Sequence, residues 1–152
     1  IEPDFASISG VEGARALARE AAEHLDSFNP WSRERYEAGV KVSAERYREA
    51  LANTARGRRM LTAIFADTDV FITPSIADEA PQDLTRVHPS AFNRLWTHMY
   101  VPAVHLPLFT GPNHMPVGFQ VIGPEHSDDV TLAFAHWIDG RVSQAAGERA
   151  RV

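Results

Sequence analysis

Apolar residues recur at Val11, Ala14, Leu17, Ala18, Ala21, Ala22 and Leu25. Steps of three and four place them along one side of a helix, so the spacing predicts an amphipathic helix over 11–28. Asn29 and Pro30 close it, because a residue before proline is pushed out of helical geometry. Ser32 then offers its hydroxyl to the free amides of a second helix, with Glu34 in the first turn facing the positive end of the dipole. The stripe Tyr36, Val40, Ala44, Tyr47, Leu51, Ala55, Leu61, Ile64 and Phe65 carries this helix to residue 66. Gly39 and Gly57 interrupt it at a cost of about 1 kcal/mol each against alanine. A stripe of that length needs cover, since propensity alone does not hold a helix.

The pattern changes after Asp67. Val70, Phe71, Ile72 and Thr73 form a short β-branched and aromatic run stopped by Pro74, which reads as a buried strand. Eight of the ten prolines lie from Pro74 to Pro124, so this half is built of short strands and shaped loops. Val104 to Leu108 and Val117 to Ile122 are the next strands, joined into a hairpin by the turn formers Gly111, Pro112 and Asn113 with His114. Ser127 is placed to cap a last helix, with Asp128 and Asp129 in its first turn, Leu132, Ala135, His136 and Ile138 following, and Gly140 just past its end. The resulting division is helical over 11–66, strand- and loop-rich over 67–126, helical over 127–140, and a frayed tail over 141–152. No internal repeat is visible. The change near Asp67 reads as two halves of one layered α/β unit, not as a domain boundary. Its strands are apolar on both faces, as in the interior of a larger sheet, which places the missing neighbours elsewhere in a parent protein.

Charge narrows the classes. The 152 residues carry 20 acidic and 15 basic side chains, a formal net charge of −5, so no basic stripe is available for nucleic acid. Cysteine is absent, which removes disulfides, thiolate metal sites and a cysteine nucleophile together and leaves the redox compartment open. No apolar run approaches the length of about 18 residues that spans a membrane, and a cytoplasmic location is only the default. The opening Ile1-Glu2-Pro3-Asp4-Phe5 is neither a signal segment nor an initiator, and reads as a start in mid-protein. Lys41 is the one lysine, which matters because several hydrolytic mechanisms need a lysine base.

Asp69-Val70-Phe71-Ile72-Thr73-Pro74-Ser75, Glu79-Ala80-Pro81, Phe92-Asn93-Arg94-Leu95-Trp96-Thr97, Val101-Pro102-Ala103-Val104-His105-Leu106-Pro107 and Met115-Pro116-Val117-Gly118-Phe119-Gln120-Val121-Ile122-Gly123 follow one another with short gaps. In order and spacing they resemble the C-terminal region of the amidase-signature family, the last run being the most specific. Upstream, Gly39, Tyr47 and Ala50 fall where that family carries the same residues on a long helix. The resemblance covers residues 30–140 and implies part of a layered α/β/α fold. It also implies amide hydrolysis by a Ser, cis-Ser, Lys triad, without metal or cofactor, from a Gly/Ser-rich segment. No such segment occurs here. The nine serines are scattered, and Lys41 lies between Val40 and Val42 on an exposed helix, where it reads as a solvated lysine. No catalytic residue is assigned to this chain. It departs from the family where Tyr100 precedes Val101-Pro102 and where His114 stands in the turn, since relatives place glycine at both.

Asn93, Trp96, Thr97 and Tyr100 are the candidate substrate-binding residues. The first three fall on a segment that in relatives runs beside the substrate channel, and the Tyr100 ring has the size to narrow an acyl pocket or to pack on a helix. The competing reading makes them helix caps and core filling. His98 with His105, or His88 with His114, are the histidine pairs to weigh as metal ligands; no HxxxH or HExxH spacing supports them, and no metal is assigned. Asp78 and Glu79 read as a loop pair, and Asp128 and Asp129 as helix N-terminal charges. The chain is therefore expected to be a structural, substrate-shaping part of an amidase. Its expected partners are the remainder of that amidase, in the same or a companion chain, and a small-molecule amide, with a homodimer left open and neither nucleic acid nor membrane implied. A non-catalytic interaction module derived from the same fold is one alternative. An amidotransferase A-type subunit is another, disfavoured because Thr97 and Tyr100 stand in place of the Asn and Gly of an Asn-x-x-Gly-x-Pro stretch.

Overall fold

The computed structural model describes residues 2–83, 85 and 90–149, with side chains to residue 145. It resolves into two compact units, Ile1–Arg59 and Met60–Val152.

The first unit is helical. Helix α1 (Glu2–Ala16) begins nine residues before the periodicity suggested, because Asp4 and Ile8 continue the buried face of Val11 and Ala14. Asp4 hid that start. A buried carboxylate is tolerated there because Arg46 Nη2 donates to its Oδ1 at 2.6 Å and Asn53 Nδ2 at 3.3 Å. Burial pushes the Asp4 carboxyl up, but the hydrogen bonds and the positive charge of Arg46 outweigh it and hold it below its ordinary value. Helix α2 (Ala18–His24) follows a break at Leu17, and a 3-10 turn, Leu25–Ser27, ends it.

Asn29, not Ser32, caps α3 (Pro30–Lys41). Its Oδ1 accepts from Ser32 N at 2.9 Å, while Pro30 fills the first helical position, where no N–H is needed. The long helix is then broken at extended Val42, and Ser43 Oγ accepts from Arg46 N at 3.1 Å to start α4 (Ala44–Ile64). Gly39, counted as a cost in the sequence, is required by packing. A Cβ there would lie 2.1 Å from the carbonyl oxygen of Gly10 on α1.

The second unit holds the sheet and its core. A 3-10 turn, Phe65–Asp67, leads into β1 (Phe71–Pro74); α5 (Ala91–Met99), β2 (Ala103–Thr110), β3 (Pro116–Ile122) and α6 (Asp128–Arg149) follow. The three strands are antiparallel in the order β1-β3-β2, with the expected hairpin between β2 and β3. Side chains alternate across the pleat, and the register sorts them. Phe71, Thr73, Gln120, Ile122, Ala103 and His105 share one face, and Ile72, Val121, Phe119, Val104 and Leu106 the other.

Helix α6 covers the second face, where Leu106, Val121, Ala135 and Ile138 form the core and Val104, Leu108, Phe119, Phe134 and Val142 pack around it. That packing explains why α6 runs past Gly140 to Arg149 where the sequence suggested an end. Val142 lies one turn beyond Ile138 on the same stripe, and its burial offsets the roughly 1 kcal/mol that a mid-helix glycine costs. At the start of α6 the Ser127 hydroxyl donates to Pro124 O at 2.7 Å, and Ser127 O accepts from Thr131 N at 2.9 Å.

Because the folded carboxyl of Asp4 sits below its ordinary value of 3.8, its contribution to stability is complete above that value and is lost as pH falls through and below it. Asp4→Asn should lower the thermal midpoint at neutral pH and flatten its fall on acidification from about pH 4 downward. Melts followed by circular dichroism across that range check this.

Candidate functional site

The first face of the sheet is only partly covered. Trp96 of α5 stacks on Phe71 of β1, with centroids 6.3 Å apart and planes at 21°, and Phe71 in turn meets Phe65 at 4.8 Å. These rings hold one side of α5 against the strand. Beside them opens a cleft of about 500 Å³, walled by Asn93, Trp96 and Thr97 of α5 and by Ser75, Ile76 and Ala80 after β1. Ala103 and His105 of β2 and Gly118 and Gln120 of β3 form its floor.

Gln120 ties this arrangement together. It is 4% exposed, and its Nε2 donates to Pro74 O at 3.1 Å and to Phe92 O at 2.9 Å. One amide thereby joins the end of β1, the central strand and the first turn of α5. Across the floor, directly opposite in register, His105 Nδ1 lies 2.6 Å from Ser75 Oγ. Gly118 keeps that contact possible, since a Cβ there would meet Leu106 O at 2.0 Å and the His105 ring at 2.9 Å. Glu79, buried in the loop after β1, accepts from Asn113 N through both carboxylate oxygens, at 2.9 and 3.1 Å, and so fastens that loop to the β2–β3 turn.

Three of the four candidate residues from the sequence, Asn93, Trp96 and Thr97, come together here. Thr97 already donates its hydroxyl to Asn93 O at 3.1 Å, which leaves only its lone pairs for a ligand. Tyr100 is not among the lining residues. It ends α5 in the left-handed region, at φ 60 and ψ 38, and is 61% exposed. His114 adopts φ 61 in the hairpin turn. Both departures from the family's glycines thus fall where the backbone is left-handed, which is the physical reason for glycine there. His98 is buried on α5 and His105 is engaged with Ser75, while His88 lies outside the described residues. Among the described residues no cluster of three metal-ligating side chains occurs. Lys41 is exposed at the end of α3 and does not line the cleft.

Ser75, His105 and Gln120 escaped the sequence reading as site residues. The signal available for Gln120 was its place in the Pro116-Val117-Gly118-Phe119-Gln120 run; for Ser75 and His105, 30 residues apart, only the fold supplies one.

Residues 14–132 match the family model described as Amidase. The chain is 28% identical over 106 residues to human fatty-acid amide hydrolase 2, covering 68% of this chain and 20% of that protein. It is 28% identical over 149 residues to the A-type subunit of the mouse mitochondrial glutamyl-tRNA(Gln) amidotransferase, covering 88% of this chain and 28% of that protein. A solved amidase structure superposes with a TM-score of 0.78 at 25% identity, over 91% of this chain and 34% of the other. The chain therefore spans about a fifth to a third of the length of these relatives.

Tyr100→Gly should relieve a left-handed penalty of about 1–2 kcal/mol, partly offset by the flexibility glycine adds to the unfolded chain. The net expectation is a gain of about 0.5–1 kcal/mol, read from urea midpoints, with the cleft unaltered.

Proposed function

The chain belongs to the amidase family, and on that premise we propose that it forms the C-terminal, substrate-shaping part of an enzyme that hydrolyses the C–N bond of a small-molecule amide. The observation that carries this reading is the cleft. It has an aromatic wall at Trp96, polar groups at Asn93, Thr97, Ser75, His105 and Gln120, and no lysine or carboxylate among its lining residues. Such a surface has the means to orient an uncharged polar ligand, but not the neutral lysine base that triad chemistry of this family implies. The nucleophile and base are proposed to lie in further polypeptide, in the same or a companion chain.

Two features favour that companion. The chain's coverage of its relatives leaves most of their length unmatched. Ile72 on the edge strand β1 and Phe109 on the edge strand β2 are more than half exposed, and edge strands with bare apolar side chains favour further pairing.

An amidotransferase A-type subunit is the second reading, favoured by the match to the mouse protein over 88% of this chain. Thr97 and Tyr100, where such subunits resemble one another in Asn and Gly, weigh toward the small-molecule amidase. Among the described residues no helix is long and apolar enough to cross a membrane.

In a Trp31→Phe, Trp137→Phe background, Trp96 is the only tryptophan left. Added benzamide should change its fluorescence saturably while the chain alone releases no ammonia. An absent response would contradict the cleft assignment. Ammonia release abolished by Lys41→Ala would contradict the placement of the chemistry elsewhere.

A further inference from the structure

The hydrogen-bonding capacity left over in the cleft is specific. Both N–H groups of the Gln120 amide face carbonyl oxygens, Pro74 O and Phe92 O, which can only accept. That fixes the orientation of the amide and turns Oε1 away from them. Oε1 has no partner among the described residues, yet it is not sealed from solvent, and the side chain lies in the cleft floor. The floor therefore offers an acceptor.

Opposite it, Ser75 and His105 offer a donor. A neutral imidazole and a hydroxyl carry two polar hydrogens between them, and their mutual 2.6 Å bond uses one. If Ser75 donates to Nδ1, the Nε2–H remains; if Nδ1–H donates to Ser75, the hydroxyl hydrogen remains. Either tautomer leaves one donor. Gln120 and His105 are direct cross-strand partners, so their Cα atoms are about 5 Å apart and their side chains share a face.

We propose that Gln120 and the Ser75–His105 pair are specificity-determining residues that read one amide group of the ligand together, Gln120 Oε1 accepting its N–H and the pair donating to its C=O. The inference rests on the reading of the cleft as a substrate wall and adds a preference to it. An amide bearing an N–H satisfies both sites, whereas a tertiary amide or an ester leaves Gln120 Oε1 buried against an alkyl group. Leaving a buried acceptor unpaired weakens binding by about tenfold or more. A carboxylate is disfavoured by the Gln120 oxygen, and an ammonium finds no counter-charge among the lining residues. Trp96 supplies the flat apolar wall for the group attached to that amide.

The test uses the intact chain and three ligands of similar size: benzamide, N,N-dimethylbenzamide and methyl benzoate. Nitrogen-15 NMR titration should show benzamide shifting the Gln120 side-chain amide and the Trp96 indole signals, with the other two about tenfold weaker. Ser75→Ala combined with His105→Phe removes both donors of the pair and should weaken benzamide and methyl benzoate alike, since both present a carbonyl, while the advantage of benzamide, which rests on Gln120, persists; this readout does not depend on replacing the structural Gln120. Equal affinity for all three ligands at the cleft would overturn this inference and leave the proposed function standing. If none of them perturbs the cleft signals, the reading of the cleft as an amide site falls, and this inference with it.

Discussion

The Gln120 amide is the constraint on which the second unit's organisation rests. Its donors join two carbonyls that the chain would otherwise leave at unrelated places, the end of β1 and the opening turn of α5. A buried amide with both hydrogens satisfied is stable, and one deprived of either carbonyl leaves a polar group in a dry setting. The bonds therefore fix how far α5 stands from the sheet, and that distance is the cleft. Trp96 on Phe71 sets the same spacing by ring contact from the other side.

The two faces of the sheet consequently do different work. Opposite the cleft, α6 closes on Leu106 and Val121 with Ala135 and Ile138, a dry contact that anchors the strands. Facing α5, the residues at the same pleat height are Ala103, His105 and Gln120, too small or too polar to fill a core. Alternation along β2 and β3 builds both faces from the same few residues, so a one-residue register slip would exchange a sealed core for a polar cleft. Gly118 guards that register, since a Cβ there would strike Leu106 O on the neighbouring strand.

Much of this was legible in the sequence. The strands at Val70, Val104 and Val117, the hairpin, the helical first half and the clustering of Asn93, Trp96 and Thr97 followed from periodicity, turn chemistry and family resemblance. What escaped has particular causes. The start of α1 at Glu2 escaped because a carboxylate on its buried face, Asp4, is accommodated only by Arg46 and Asn53, more than forty residues away. The division of the long helix at Val42 turned on Ser43, whose capping role competes with an otherwise unbroken stripe. Gly140 promised a helix end that the burial of Val142 overrides. Tyr100 was located as a departure, but only its left-handed φ explains why glycine belongs there and why its ring leaves the cleft alone.

The division of labour between the faces can be tested by diffraction from crystals of the chain soaked with benzamide. The arrangement of the two faces predicts ligand density on the α5 side, between Trp96 and Gln120, with the amide turned toward the sheet. Density confined to the α6 side, or a ligand in the cleft with its ring on Gln120 and its amide in solvent, would contradict it.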